Sequence, residues 1–138
     1  MRRRFDHENL QVYQNAVKFC AWVTPLLESI PGKLAAKDQL DRASTRVVLN
    51  LAEGNGKRSY SDRSRYFDIA RGSGVECAAC LDGLVARNAI ETGLAEEGKS
   101  QSIDIVSMIG GLMTRFAGEG RVEEDQSGYG GDKENEKE

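Results

Sequence analysis

Leu49-Asn50-Leu51-Ala52-Glu53-Gly54-Asn55-Gly56-Lys57-Arg58-Ser59-Tyr60-Ser61 is the stretch whose reading decides the fold. An Asn and a Glu stand at i,i+3 near the end of one run of helical periodicity. Two glycines and a basic pair follow, and then the next run begins. Gly54 falls where a helix closes on a left-handed residue, and Gly56 adds a second permissive position. Ser59 or Ser61 can cap the following helix, with Asp62 in its first turn near the positive end of the dipole. The stretch therefore reads as a short junction between two helices.

Working backward, the second helix is expected from about Lys37 to Glu53, with Leu40, Ala43, Val47 and Leu51 on its apolar face. The first begins near Asn9. Leu10, Tyr13, Val17, Cys20, Ala21 and Leu27 form one stripe, and Val12, Ala16, Phe19, Val23 and Leu26 widen it. Such breadth points to a helix covered on more than one side. Pro25 is expected to bend this helix without ending it, and Pro31-Gly32 stops it.

Working forward, the third helix is expected to be the longest, from Asp62 to about Asn88. Gly72, Gly74 and Gly83 lie inside it, each costing about 1 kcal/mol relative to Ala. The Gly72-Ser73-Gly74 step is therefore expected to face a neighbouring helix at close range. The fourth helix is expected from near Glu96 to Phe116 or Ala117, with Ile103, Val106, Ile109, Leu112, Met113 and Phe116 as its stripe. Four helices with short connections predict an all-α, antiparallel up-down-up-down four-helix bundle. The chain divides into a polar lead-in (1–8), the bundle (9–117) and an acidic tail (118–138) that is expected to be disordered for want of apolar residues.

Charge is unevenly placed in the 138 residues. The formal net charge is -3. Residues 1–117 hold sixteen Lys and Arg against fourteen Asp and Glu, and residues 118–138 hold three against eight, giving +2 and -5. No apolar run approaches the roughly 20 residues that span a bilayer. The basic opening Met1-Arg2-Arg3-Arg4-Phe5-Asp6 is followed by no apolar segment, so it does not read as a secretory signal, and a cytoplasmic location is expected. Three cysteines fit reduced thiols better than a disulfide framework.

The motifs that carry chemistry are weak. Cys77-x-x-Cys80 lies well inside the third helix, away from a helix N-terminus that would activate a thiol, and the ligands for a structural zinc site are lacking. The pair reads as small core residues. The only histidine, His7, excludes the Glu-x-x-His pairs of a di-iron bundle. Gly54-x-Gly56-Lys57 has neither the strand nor the spacer of a phosphate loop. Glu53 and Glu76 can face each other between helices two and three, and are expected to hydrogen-bond Asn50, Ser73 or nearby backbone. No acid, base and nucleophile set is visible, so neither an enzyme, a cofactor nor a metal is expected. What remains is a basic surface. Arg42, Arg46, Lys57, Arg58, Arg63 and Arg65 lie within one segment opposed by Glu53 and Asp62. Tyr60 and Tyr66 stand among them and can stack on bases.

Several phrases, in order, are similar to a known family. Phe5 with Glu8-Asn9-Leu10-Gln11-Val12-Tyr13 resembles its opening, and Gln39-Leu40-Asp41-Arg42-Ala43 its second helix. Asn50-Leu51-Ala52-Glu53-Gly54, with Gly56 and Lys57-Arg58, resembles its most recognisable segment. Tyr66-Phe67, Ala70, Gly72-Ser73 and Glu76 resemble its third helix. The family is that of the four-helix-bundle proteins encoded in intervening sequences of bacterial large-subunit ribosomal RNA genes. The accessory variability determinant of diversity-generating retroelements belongs to the same superfamily. The resemblance covers roughly residues 5–117. It implies a non-enzymatic homo-oligomer, commonly a ring-like pentamer, with RNA, DNA or a reverse transcriptase as partner. It makes Asn50, Glu53, Gly54, Gly72, Ser73 and Glu76 a structural signature. The expected function is nucleic-acid binding through the basic surface; the alternative is a structural or protein-interaction module with no nucleic-acid binding.

Overall fold

A computed structural model describes residues 2–127, with side chains as far as Gly118. A single 3-10 turn, Asp6–Asn9, leads into four helices: α1 (Gln11–Ser29), α2 (Ala35–Gly56), α3 (Tyr60–Ala86) and α4 (Thr92–Ser127). Strands are absent among the described residues. No helix there is long and apolar enough to cross a membrane.

The helices pack as a bundle around one apolar interior. Phe19, Val23, Leu40, Leu51, Phe67, Leu81, Leu84 and Ile109 are its largest fully buried side chains. The 3.6-residue periodicity that predicts the helices also selects these positions, because each element buries one stripe. On α1 the buried stripe is Val12, Ala16, Phe19, Val23 and Leu26, the set the sequence treats as a widening. Val17 and Ala21 face outward instead. Pro25 is exposed, and α1 continues through it to Ser29. There the lost backbone donor faces water.

The ends of the helices differ from expectation in instructive ways. α2 does not close at Glu53 but runs to Gly56, so Gly54 is an interior helical residue. Positive φ occurs at Gly32 and Asn88 among the described residues, and not at Gly54. A Cβ on Gly54 would stand 2.8 Å from both Cδ1 and Cε1 of Phe67 and 3.1 Å from Cβ of Tyr66. Gly54 is therefore there to let α3 approach, and its left-handed role is withdrawn. Ser59 does cap α3, its hydroxyl accepting the Asp62 N–H at 3.1 Å. At the far end of α3, Ala89 N–H donates to Leu84 C=O at 2.8 Å and Asn88 N–H to Val85 C=O at 2.9 Å. With Asn88 at φ 58, this is a Schellman closure.

α4, not α3, is the longest helix. It starts at Thr92 and continues ten residues past Ala117, into the segment expected to be a disordered tail. Residues 128–138 of that segment lie outside the described residues. The buried stripe of α4 is Ala95, Gly98, Ser102, Ile105, Ile109 and Leu112, while Ile103 is 61% exposed. Gly98 takes the place of a side chain because Leu81 and the Trp22 ring fill that space, at 2.6 and 2.7 Å from an imagined Cβ. Gly74 meets Val106 Cγ2 at 2.9 Å in the same sense. Gly72, by contrast, faces open space. The close approach expected of the Gly72-Ser73-Gly74 step thus belongs to Gly74, with Ser73 buried beside it.

Candidate nucleic-acid interface

The six basic residues singled out by sequence do not form one surface. Arg42 and Arg46 lie mid-way along α2, and each already holds a carboxylate. Arg42 Nε is 3.2 Å from Asp38 Oδ2 one turn earlier. Arg46 NH2 reaches across to α3 and donates to Glu76 Oε1 at 2.9 Å. Glu76 also accepts from Gln39 Nε2 at 3.1 Å. The hydrogen bonds expected of Glu76 with Asn50, Ser73 or nearby backbone are therefore replaced by a cross-helix bond to Arg46. Asn50 Nδ2 donates to Arg46 C=O at 2.8 Å, inside its own helix. Glu53 pairs with Lys57 Nζ at 3.4 Å.

Lys57, Arg58, Arg63 and Arg65 gather where α2 ends and α3 begins. Arg63 Nε donates to Lys57 C=O at 2.6 Å, which bridges the junction. Its guanidinium lies over the Phe116 ring of α4 at 4.6 Å. Phe116 in turn stacks on Phe67 at 5.6 Å. Arg65 pairs with Asp62 at 3.7 Å and lies 5.3 Å from the centre of the Tyr66 ring. Lys57 Nζ lies 5.2 Å from the same ring. Tyr66 is thus occupied by two cations of its own chain. Arg58 makes no ion pair among the described residues.

The structure adds cations that sequence reasoning missed. Asn55 Nδ2, in the last turn of α2, donates to Asp6 Oδ2 at 2.9 Å. This brings the lead-in onto the same end of the bundle. Arg2, Arg3 and Arg4 are exposed there. Arg2 pairs loosely with Glu8 at 3.8 Å. Phe5, 74% exposed, stacks on His7 at 5.6 Å, and His7 meets the edge of Tyr13. Arg115 of α4 joins from the other side, 5.1 Å from the Phe116 ring. The only sequence signal for the addition was the Arg2-Arg3-Arg4 run, and nothing local tied it to residues fifty positions away. The N-terminus of α3 also points its positive dipole end into this region. The ion pairs here are exposed, and such pairs contribute about 0–1 kcal/mol, so an incoming phosphate can replace their carboxylates at little cost.

Elsewhere the three thiols and the Lys37 ammonium are absorbed by the fold. Cys77 is fully buried and Cys80 nearly so. Burial, reinforced by the neighbouring thiols of Cys80 and Cys20, pushes the Cys77 thiol up to about 12. Cys20 and Cys80 are raised as well, again chiefly by burial. Cys20 donates to Ser44 C=O at 3.4 Å. All three behave as core residues with free thiols. A groove at the opposite end, lined by Leu27, Gly32, Leu34 and Asp38, contains Lys37. Its ammonium is committed to Ile30 C=O and Gly32 C=O, where it caps the end of α1.

Helical packing with a basic end and a core of unreactive thiols defines a helical-bundle protein. Residues 8–111 match the 23S rRNA-intervening sequence protein family, and the chain belongs to that family. A crystal structure from Bacteroides thetaiotaomicron, of a protein with unknown function from the S23 ribosomal protein family, is similar in fold. Its TM-score is 0.70 at 18% identity, covering 75% of this chain and 95% of that one. At that identity the likeness speaks for the fold alone. Among curated proteins, none matches.

Proposed function

We propose that the protein is a non-enzymatic, homo-oligomeric bundle whose basic end binds the phosphates of RNA or DNA. The observation that carries this reading is the Asn55–Asp6 hydrogen bond, which sets the Arg2–Arg4 run beside Lys57 and Arg58. Phosphate contacts by Arg and Lys supply most non-specific affinity, and exposed aromatic faces such as Phe5 offer stacking. The site is thus the end of the bundle, Arg58 included, and Arg42 and Arg46 lie outside it.

The test is binding of a fluorescein-labelled single-stranded RNA across a salt series. Arg58→Glu combined with Arg3→Glu is expected to weaken binding about tenfold and flatten the salt slope, while Arg42→Glu changes it less than about twofold. Equal affinity of the first variant and the natural chain would end the nucleic-acid reading. It would favour a protein-interaction module, for which the carboxylates already held by Arg42, Arg46, Lys57 and Arg65 speak.

Helices alternating up and down are supported by the order of contacts: Gly83 beside Ala36, Glu76 with Arg46, and Gly54 beneath Phe67. Self-association is supported by apolar side chains left outside. Leu49 and Ile69, 58% and 43% exposed, flank the Arg46–Glu76 bond by helical spacing, and Val75 and Ile103 flank the Gly74–Val106 contact. The ring of five implied by the family resemblance would cover such faces. Val75→Lys with Ile103→Lys is expected to shift sedimentation toward the monomer. An unchanged profile would rule these faces out.

A further inference from the structure

We infer that the acidic stretch beginning at Glu119 is a tethered competitor for the basic end, reducing its affinity for nucleic acid. The inference rests on the nucleic-acid reading above and adds its regulation. Phe116 fixes where the stretch departs, since its ring lies between Phe67 and the guanidinium of Arg63, one turn into α3. α4 therefore reaches the basic end at Phe116. Its backbone continues as helix to Ser127, roughly 17 Å further at 1.5 Å per residue. Along that stretch the sequence places Glu119, Glu123, Glu124 and Asp125, and residues 118–138 together carry -5.

Electrostatics turns this placement into competition. Charge acts over about one Debye length, ~10 Å at 0.1 M salt, and the net -5 of a segment that leaves the bundle at this end lowers the positive potential that attracts phosphates. The family match ends at residue 111, short of this acidic stretch.

The full-length chain tests this. Glu119→Gln, Glu123→Gln, Glu124→Gln and Asp125→Asn are introduced together and binding of the labelled single-stranded RNA is measured. Affinity is expected to rise about tenfold at ~50 mM salt, with the gain falling below about twofold at ~0.5 M. A synthetic peptide of residues 119–138, added in trans, is expected to weaken binding by the substituted chain. The control substitutes Glu28→Gln, Asp38→Asn, Glu91→Gln and Glu96→Gln at the other end, with an expected change under about twofold. An equal gain from that control would overturn the inference, since net charge alone would explain it. An unchanged affinity in the tail variant, while Arg58→Glu still weakens binding, would overturn the inference and leave the basic end standing. If no form binds at low salt, both readings fall.

Discussion

Gly54 and Phe67 are packed so that the ring occupies the space a side chain at Gly54 would need, 2.8 Å from the ideal Cβ position. Adding a methyl there gains helix propensity of about 1 kcal/mol but overpacks against a fully buried ring, at a cost of about 1–3 kcal/mol or more. Gly54→Ala is expected to lower the urea midpoint. Gly72→Ala, whose Cβ meets nothing within 4 Å, is expected to raise stability by about 0.5–1 kcal/mol. Both glycines belong to the same signature, and a common sign of effect would contradict this assignment.

The Arg46–Glu76 bond joins α2 to α3 with side chains 38% and 36% exposed. Its coupling energy is expected at about 0.2–1 kcal/mol in a double-mutant cycle using Arg46→Met and Glu76→Gln. Salt near 1 M should reduce it, because solvent reaches both groups. A coupling above about 2 kcal/mol would show a more enclosed pair than this geometry gives.

The Cys77 thiol, raised to about 12 by burial, gives a pH prediction. An unfolded thiol near 9.0 loses its proton first, so above that pH the folded state binds more protons than the unfolded. Stability is fully present below pH ~9 and declines as pH rises toward ~12, with a slope of up to about 1.4 kcal/mol per unit for this thiol. Cys77→Ala should flatten that decline in denaturation curves. Iodoacetamide at pH ~8 should leave Cys77 unmodified in the native protein and label it in urea, as mass spectrometry would show.

Asn88 closes α3 at φ 58. Asn88→Gly removes the left-handed penalty and is expected to raise the melting temperature slightly, whereas Asn88→Ala is expected to cost about 1 kcal/mol. Equal melting temperatures for the two would show that the closure bears no strain.

The helices were legible because apolar residues recur with helical period, and of the two caps expected for α3, Ser59 or Ser61, Ser59 is the one that holds it, with the helix starting at Tyr60 rather than Asp62. What failed was information held in distant neighbours. Gly54 looked like a cap because a glycine before a basic pair is local turn chemistry, and the Phe67 ring that explains it comes from the next helix. Ile103 looked buried because it is large and apolar, whereas the buried positions of α4 went to Ala95, Gly98 and Ser102, and at Gly98 Trp22 and Leu81 leave no room for a side chain. The basic surface was legible in type but not in place. Arg42 and Arg46 were drawn into carboxylates, and Arg2–Arg4 joined Arg58 through a bond spanning 49 positions.

Gly54, Gly74 and Gly98 also act as index marks between sliding rods. A slip of α4 along α3 by one turn, roughly 5.4 Å, would set Val106 against Ala70 or Ala78 in place of Gly74. The same slip would bring Leu94 or Ser102 to where Gly98 admits Leu81 and Trp22. Leucine-rich stripes alone tolerate several alignments. These three vacancies permit one, so neighbouring helices meet at a single setting along their length.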